Sequence, residues 1–190
     1  VVLATDKYTG SLYRTLAEGG LIARYGVGYD SIDIKQATEN NQFVTITPSV
    51  LDNSVAEHAI FLIGSLARQI AVKNSQLKQG IWKKTTGFEL SDKNLLILGC
   101  GAIGKRVAAI ASFGFAMDVI GYDVVQMNPL EMKEKYGIGE IAASLDKAPH
   151  EAVSSMRTPF TMLLKTVISP PPRWMYIKKS LTILNSPIRI

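Results

Sequence analysis

The sequence predicts an α/β protein built on a parallel sheet, and three observations carry that expectation. From Lys93 onward, short apolar runs alternate with segments of helical character, the pattern of parallel strands joined by crossover helices. A Gly-x-Gly-x-x-Gly run, Gly99-Cys100-Gly101-Ala102-Ile103-Gly104, lies between a strand candidate and a helix candidate. Finally, 190 residues at 47% hydrophobic and 19% charged suffice for a packed core and argue against disorder.

Along the chain, Val1–Ala4 reads as a short strand and Ser11–Glu18 as a helix stopped by Gly19-Gly20. Leu21–Arg24 is a second strand, followed by a glycine-punctuated turn over Tyr25–Asp30. Ile34–Asn40 reads as a helix and Phe43–Ile46 as a strand ended before Pro48. The texture then changes, which places a boundary near residue 50. Ser54-Val55-Ala56-Glu57 fits a capping box. Behind it Ala59, Ile60, Ile63, Leu66, Ala67 and Ile70 recur at helical spacing and mark one long amphipathic helix. Asn94–Leu98 is a buried strand, Ile103–Phe113 a helix, Asp118–Tyr122 a strand, and Pro129–Tyr136 a helix with Glu131 and Lys135 one turn apart. Weaker signals follow at Glu140–Ala143, Leu145–Ala152, Val153–Met156 and Leu181–Leu184.

Composition excludes several classes. The longest apolar stretches, such as Ala59–Gly64 and Leu95–Gly99, fall far short of the ~20 residues of a membrane span. Val1–Gly10 holds Asp6 and Lys7 and does not read as a signal peptide. The single cysteine, Cys100, excludes a disulfide framework and any multi-cysteine metal site. A reduced, cytoplasmic setting is expected. The net charge of +5 is spread along the chain without a basic block, so it reads as solvated faces, and nucleic acid is not expected as a partner.

The glycine run carries the chemistry. Its context is a preceding strand, a following helix, and a next strand ending in Asp123, 19 residues past Gly104. Gly99 permits a tight turn, Gly101 a close approach of pyrophosphate to the backbone, and Gly104 close helix–strand packing. The helix N-terminus offers unpaired N–H groups and the positive end of its dipole. Asp123 would accept from ribose hydroxyls and repel a 2′-phosphate, and Val124 and Val125 supply no arginine. The expectation is a Rossmann-type, doubly wound sheet that binds NAD rather than NADP.

Ala23-Arg24-Tyr25-Gly26-Val27-Gly28-Tyr29-Asp30-Ser31-Ile32-Asp33 resembles a loop of the D-isomer-specific 2-hydroxyacid dehydrogenases, the family of D-3-phosphoglycerate dehydrogenase. Ser54-Val55-Ala56-Glu57-His58, Gly87-Phe88-Glu89-Leu90 with Lys93, and Phe113-Gly114-Phe115 resemble further motifs of that family. The resemblance implies hydride transfer between NAD(H) and a 2-hydroxy or 2-keto acid. It also implies a partial flavodoxin-like substrate domain over residues 1–50, an NAD domain over 51–190, and a homodimer through the long-helix side of the NAD domain. By position, backbone amides of Val27 and Gly28 would hold the substrate carboxylate. Val55 would lie against the nicotinamide, and Ala102 and Ile103 would offer amides to the pyrophosphate. Asp123 would bind the ribose, and Pro159 and Thr161 would border the adenine.

The chain departs from that pattern in four places. Arg157 stands where the family has His. Lys178–Asn185 resembles the strand before the family's catalytic Arg, but position 188 is Ile and Arg189 stands one residue late. The two histidines, His58 and His150, do not match the catalytic position. Pro170-Pro171-Pro172 falls where the family has a helix, which prolines disfavour. On this reading the chain is a shortened or degenerate relative, without turnover of its own. The alternative is a non-enzymatic NAD-binding or dimerisation module.

Overall fold

A computed structural model describes residues 6–144 and 147, and the backbone of residues 161–165 and 180–184. The chain divides between Leu51 and Asp52 into two compact units. In the first, α1 (Gly10–Thr15) precedes a β–α–β unit of β1 (Leu21–Ala23), α2 (Ile34–Glu39) and β2 (Phe43–Thr45). β1 and β2 pair in parallel, Leu21 against Phe43 and Ala23 against Thr45. Tyr13, Ile22, Ile32 and Ala37 form the core.

Side chains set the helix ends here. Asp33 caps α2 by accepting from the Gln36 N–H at 3.1 Å, while its own N–H donates to the Tyr13 hydroxyl at 2.7 Å. The Gln36 N–H, helped by the Gln36 side-chain amide, holds the Asp33 carboxyl below its ordinary value. The α1 helix stops three residues short of the expected Glu18. Buried Gln42 donates to the carbonyls of Tyr13 and Leu16 at 2.7 and 2.6 Å, taking acceptors that a longer helix would use.

The second unit opens with α3 (Asp52–Ala67) and α4 (Ile70–Lys78). Then come β3 (Asn94–Leu98), α5 (Ala102–Ala109), a π-helical turn (Ile110–Gly114), β4 (Asp118–Tyr122), α6 (Pro129–Tyr136), β5 (Ile138–Ile141), β6 (Thr161–Lys165) and β7 (Ser180–Leu184). The five strands lie in the order β5-β4-β3-β6-β7. Every residue of the central β3 is buried, as its continuous apolar run requires of a strand covered on both faces. Leu95 and Ile97 face a core shared with Ala56, Ile60 and Ile63 of α3, Val107 and Ala108 of α5, and Met132 of α6. Leu96 and Leu98 join Ile120 and Ala142 on the other face. This is the expected α/β, Rossmann-type architecture, and β3, β4 and α6 keep their expected bounds.

Four expectations change. The helix α3 starts at Asp52, so Ser54 lies within its first turn and forms no capping box. The single long helix is two, bent by 64° at the break. The Phe88 N–H donates to the Ala67 carbonyl at 3.1 Å, the acceptor that a continuing helix would give to Ala71, and Gln69 takes a left-handed φ of 55°. The strand beside β3 is Thr161–Lys165, a segment not among the expected strands, where Met162-Leu163-Leu164 supplies the apolar run a central strand needs. Finally, β7 runs antiparallel to β6, Leu184 against Thr161 and Ser180 against Lys165. A parallel strand would need a crossover, usually helical, and the intervening sequence carries Pro170-Pro171-Pro172. Val1–Ala4, Val153–Met156 and nearly all of Leu145–Ala152 lie outside the described residues. Among the described residues no single helix is long and apolar enough to cross a membrane.

Candidate nucleotide-binding site

The parallel strands β3 and β4 end side by side, Leu98 against Tyr122, and the glycine run starts there. Gly99 adopts φ of 99°, a conformation open to glycine and strained for other residues, while its N–H donates to the Tyr122 carbonyl at 2.8 Å. The next residue makes the contact that shapes the site. The Cys100 N–H donates to Asp123 Oδ2 at 2.7 Å, and the Val125 N–H donates to Oδ1 at 3.0 Å. The Asp123 carboxylate is thus fastened across the two strand ends. Each of its oxygens keeps a further lone pair for another donor.

Gly101 is the N-cap of α5 and has no side-chain cap. The first helical bond runs from the Lys105 N–H to the Gly101 carbonyl, so the N–H groups of Ala102, Ile103 and Gly104 have no acceptor within the helix. They lie at the positive end of the helix dipole. Gly104 sits so close to the loop that a Cβ would stand 2.0 Å from the Gly99 carbonyl oxygen. Bare amides, a fixed carboxylate and three glycines without side chains fit a dinucleotide. The Cys100 thiol points into the protein, where burial first and the Asp123 charge second push its pKa up to about 12. It therefore remains a neutral thiol and is no nucleophile. Lys105 Nζ stands 5.1 Å over the Tyr136 ring.

The structure therefore brings together Gly99, Gly101, Ala102, Ile103, Gly104 and Asp123. Val55 lies half-buried in the first turn of α3, a helix packed against α5. Val27 and Gly28 belong to the first unit. Thr161 is a correction: it opens β6 paired with Asn94 and Leu184, at the end of the sheet away from Gly99 and Asp123, and not in a loop beside them. Pro159 and Arg189 lie outside the described residues, and β7 ends at Leu184, at that same far end. Sequence reasoning missed two contacts. The Cys100 amide that holds Asp123 sits at an unspecified position of the motif. The Arg24 guanidinium, which bonds the turn following it, stands inside the quoted loop motif without a spacing rule to single it out.

A central strand running into a glycine loop, a bare helix N-terminus and an acid on the neighbouring strand define a dinucleotide-binding domain. The family model "D-isomer specific 2-hydroxyacid dehydrogenase, NAD binding domain" matches residues 60–161. A glyoxylate reductase of Thermococcus litoralis is 38% identical over 131 residues, 64% of this chain and 39% of the relative. A D-3-phosphoglycerate dehydrogenase of Methanocaldococcus jannaschii is 36% identical over 140 residues, 73% of this chain and 26% of the relative. Among solved structures, the D-lactate dehydrogenase of Aquifex aeolicus, complexed with NAD and lactic acid, superposes with a TM-score of 0.66. It is 27% identical, and the match covers 87% of this chain and 55% of that one. The chain belongs to the D-isomer-specific 2-hydroxyacid dehydrogenase family and carries its NAD-binding domain. It spans about two fifths or less of the length of these two curated relatives.

Proposed function

We propose that the second unit binds NAD in preference to NADP, and that the protein serves hydride transfer between NAD(H) and a small 2-hydroxy or 2-keto acid. The observation that carries the cofactor reading is the Asp123 carboxylate, fixed by the Cys100 and Val125 amides beside the open N-terminus of α5. Ribose hydroxyls would donate to the remaining lone pairs of Asp123, and the Ala102 and Ile103 amides would receive pyrophosphate oxygens. Val124 and Val125, both exposed, offer no cation to a 2′-phosphate, and Asp123 would repel one. Bound NAD(H) would supply the hydride. In the first unit the Val27 and Gly28 amides would receive the substrate carboxylate. Val55 and Pro159 keep only their motif-based expectation of contacts to the cofactor, and Arg189 its expectation of polarising the substrate.

Hydride chemistry also needs a proton donor or acceptor at the reacting oxygen. His58 is exposed on α3, and neither histidine matches the family's catalytic position. This 190-residue chain should therefore bind NADH without oxidising it when given glyoxylate, hydroxypyruvate or pyruvate. The test is an NADH titration read by energy transfer from tryptophan, with NADPH and Asp123→Ala as comparisons. Saturable binding that favours NADH, weakened about tenfold or more by Asp123→Ala, is expected. Equal affinity for both nucleotides would sink the reading.

A second role is favoured by the surface of α3, α4 and the loop behind them. Phe61, Leu66, Ile70, Val72, Leu77 and Trp82 are all exposed there, Trp82 at 87%. So apolar a surface is one that association covers, which supports a homodimer through this face. Sedimentation that finds only monomer at micromolar concentration would count against it. A cytoplasmic setting goes with the solitary, buried thiol of Cys100.

A further inference from the structure

We propose that Arg24 is a positioning residue for the anion-receiving turn Gly26-Val27-Gly28, its guanidinium spanning the turn from the Tyr25 carbonyl to the Gly28 carbonyl. The inference rests on the reading that this turn takes the substrate carboxylate, and it adds how the turn is held ready.

The turn has no regular structure to hold it, because β1 ends at Ala23 and α2 starts only at Ile34. Two side chains do so instead. On one side, Thr47 locks Gly26 in both directions: the Gly26 N–H donates to Thr47 Oγ1 at 3.0 Å, and the Thr47 N–H donates to the Gly26 carbonyl at 3.1 Å. On the other, Arg24 Nε donates to the Gly28 carbonyl at 2.9 Å and Nη1 donates to the Tyr25 carbonyl. Gly26 is buried with φ of 136°, and a Cβ there would stand 3.4 Å from Arg24 Nη1. The bare glycine lets the guanidinium lie against the turn.

The chemical result is a sorting of dipoles. The carbonyls of Tyr25, Gly26 and Gly28, which would repel an anion, are all occupied by donors from the protein. The N–H groups of Val27 and Gly28 have no acceptor among the described residues. Turning carbonyls away and leaving successive amides open is what makes a backbone anion nest. Charge works the same way. Asp30 Oδ2 lies 3.8 Å from where a Gly28 Cβ would stand and opposes an incoming carboxylate, and the Arg24 cation on the same turn offsets it. Lysine would keep the charge but not the fork, since its donors radiate from one nitrogen.

The test uses the ¹⁵N-labelled 190-residue chain as wild type and Arg24→Lys. Backbone relaxation at Gly26, Val27 and Gly28 is measured first without ligand, then amide shifts are followed through a glyoxylate titration. NADH affinity serves as the control for the second unit. Arg24→Lys is expected to lower the order of the three amides and to weaken glyoxylate about tenfold, while the Tyr13 and Ile22 amides and NADH affinity stay as in wild type. Unchanged order, or unchanged glyoxylate affinity, in Arg24→Lys overturns the positioning role. An ordered wild-type turn that loosens in Arg24→Lys, with no response of Val27 and Gly28 to glyoxylate in either protein, overturns the carboxylate reading and supports the fork alone. Should Arg24→Lys lose the Tyr13 and Ile22 signals, Thr47→Val frees the turn from its other side and provides the same comparison.

Discussion

Two glycine-rich segments, one in each unit, leave backbone amides without an internal acceptor among the described residues, and they are held in opposite ways. The loop from Gly99 to Gly104 is wedged between β3 and α5, with its amides at the head of the helix and its acid anchored by Cys100. The turn from Gly26 to Gly28 follows a three-residue strand and precedes no helix directly, so Arg24 and Thr47 fix it from outside. Where packing sets a loop, the glycines are needed for space. Where side chains set it, one glycine is needed for its dihedral angle and another only for its amide.

That contrast yields its largest effect at Gly104. An alanine methyl there meets the Gly99 carbonyl oxygen at 2.0 Å, so Gly104→Ala should cost about 3 kcal/mol or more. At Gly28 the nearest atom to a Cβ is 3.8 Å away, and Gly28→Ala should stay within about 0.5 kcal/mol. Urea unfolding followed by circular dichroism checks both, and equal losses would erase the distinction.

Cys100 sharpens the comparison through pH. Its folded pKa of about 12 lies above the ordinary 9.0, so the unfolded chain ionises first. Stability is intact below 9.0 and falls as pH rises toward 12, by about tenfold in the folding equilibrium per pH unit. Cys100→Ala should lose that part of the alkaline decline, and a disulfide reagent should label wild type only as it unfolds. Rapid labelling of the native chain at pH 8 would mean that the glycine loop is not closed over the thiol.

The smallest effect is expected at Asp33. Its carboxyl titrates below the ordinary 3.8, so its capping of α2 is present above that value and fades as pH falls through the lower folded one. Asp33→Ala should lower Tm by a few degrees at pH 7, with the gap closing in acid. It should also leave the Gly26–Gly28 amide shifts unmoved. Movement there would show that the turn leans on α2 after all.

The parts legible in the sequence were those written in neighbouring residues. Asn128 accepts from the Leu130 and Glu131 N–H groups at 3.0 and 3.3 Å, and Gly137 closes the same helix with φ of 69°, so α6 could be read to the residue. The continuous apolar runs did the same for β3 and β4. What escaped depends on partners far along the chain. The break after Ala67 is set by an amide at Phe88, and the end of α1 by a side chain at Gln42. The reversal of β7 reflects the proline-rich stretch before it, visible as a helix breaker but silent about strand direction. In the site, the motif marked Asp123 and the glycines, because their spacing reflects a local turn. The fork of Arg24 had no such signature.

The break after Ala67 also changes what α4 can do. It is nine residues long and has no buried residue, and a helix of that length is marginal in water by itself. A partner lying against it would steady its backbone bonds. Under the proposed homodimer, deuterium uptake along Ile70–Lys78 should therefore be rapid in dilute protein and slow with concentration as Val72 and Leu77 become covered, and uptake independent of concentration would count against that dimer.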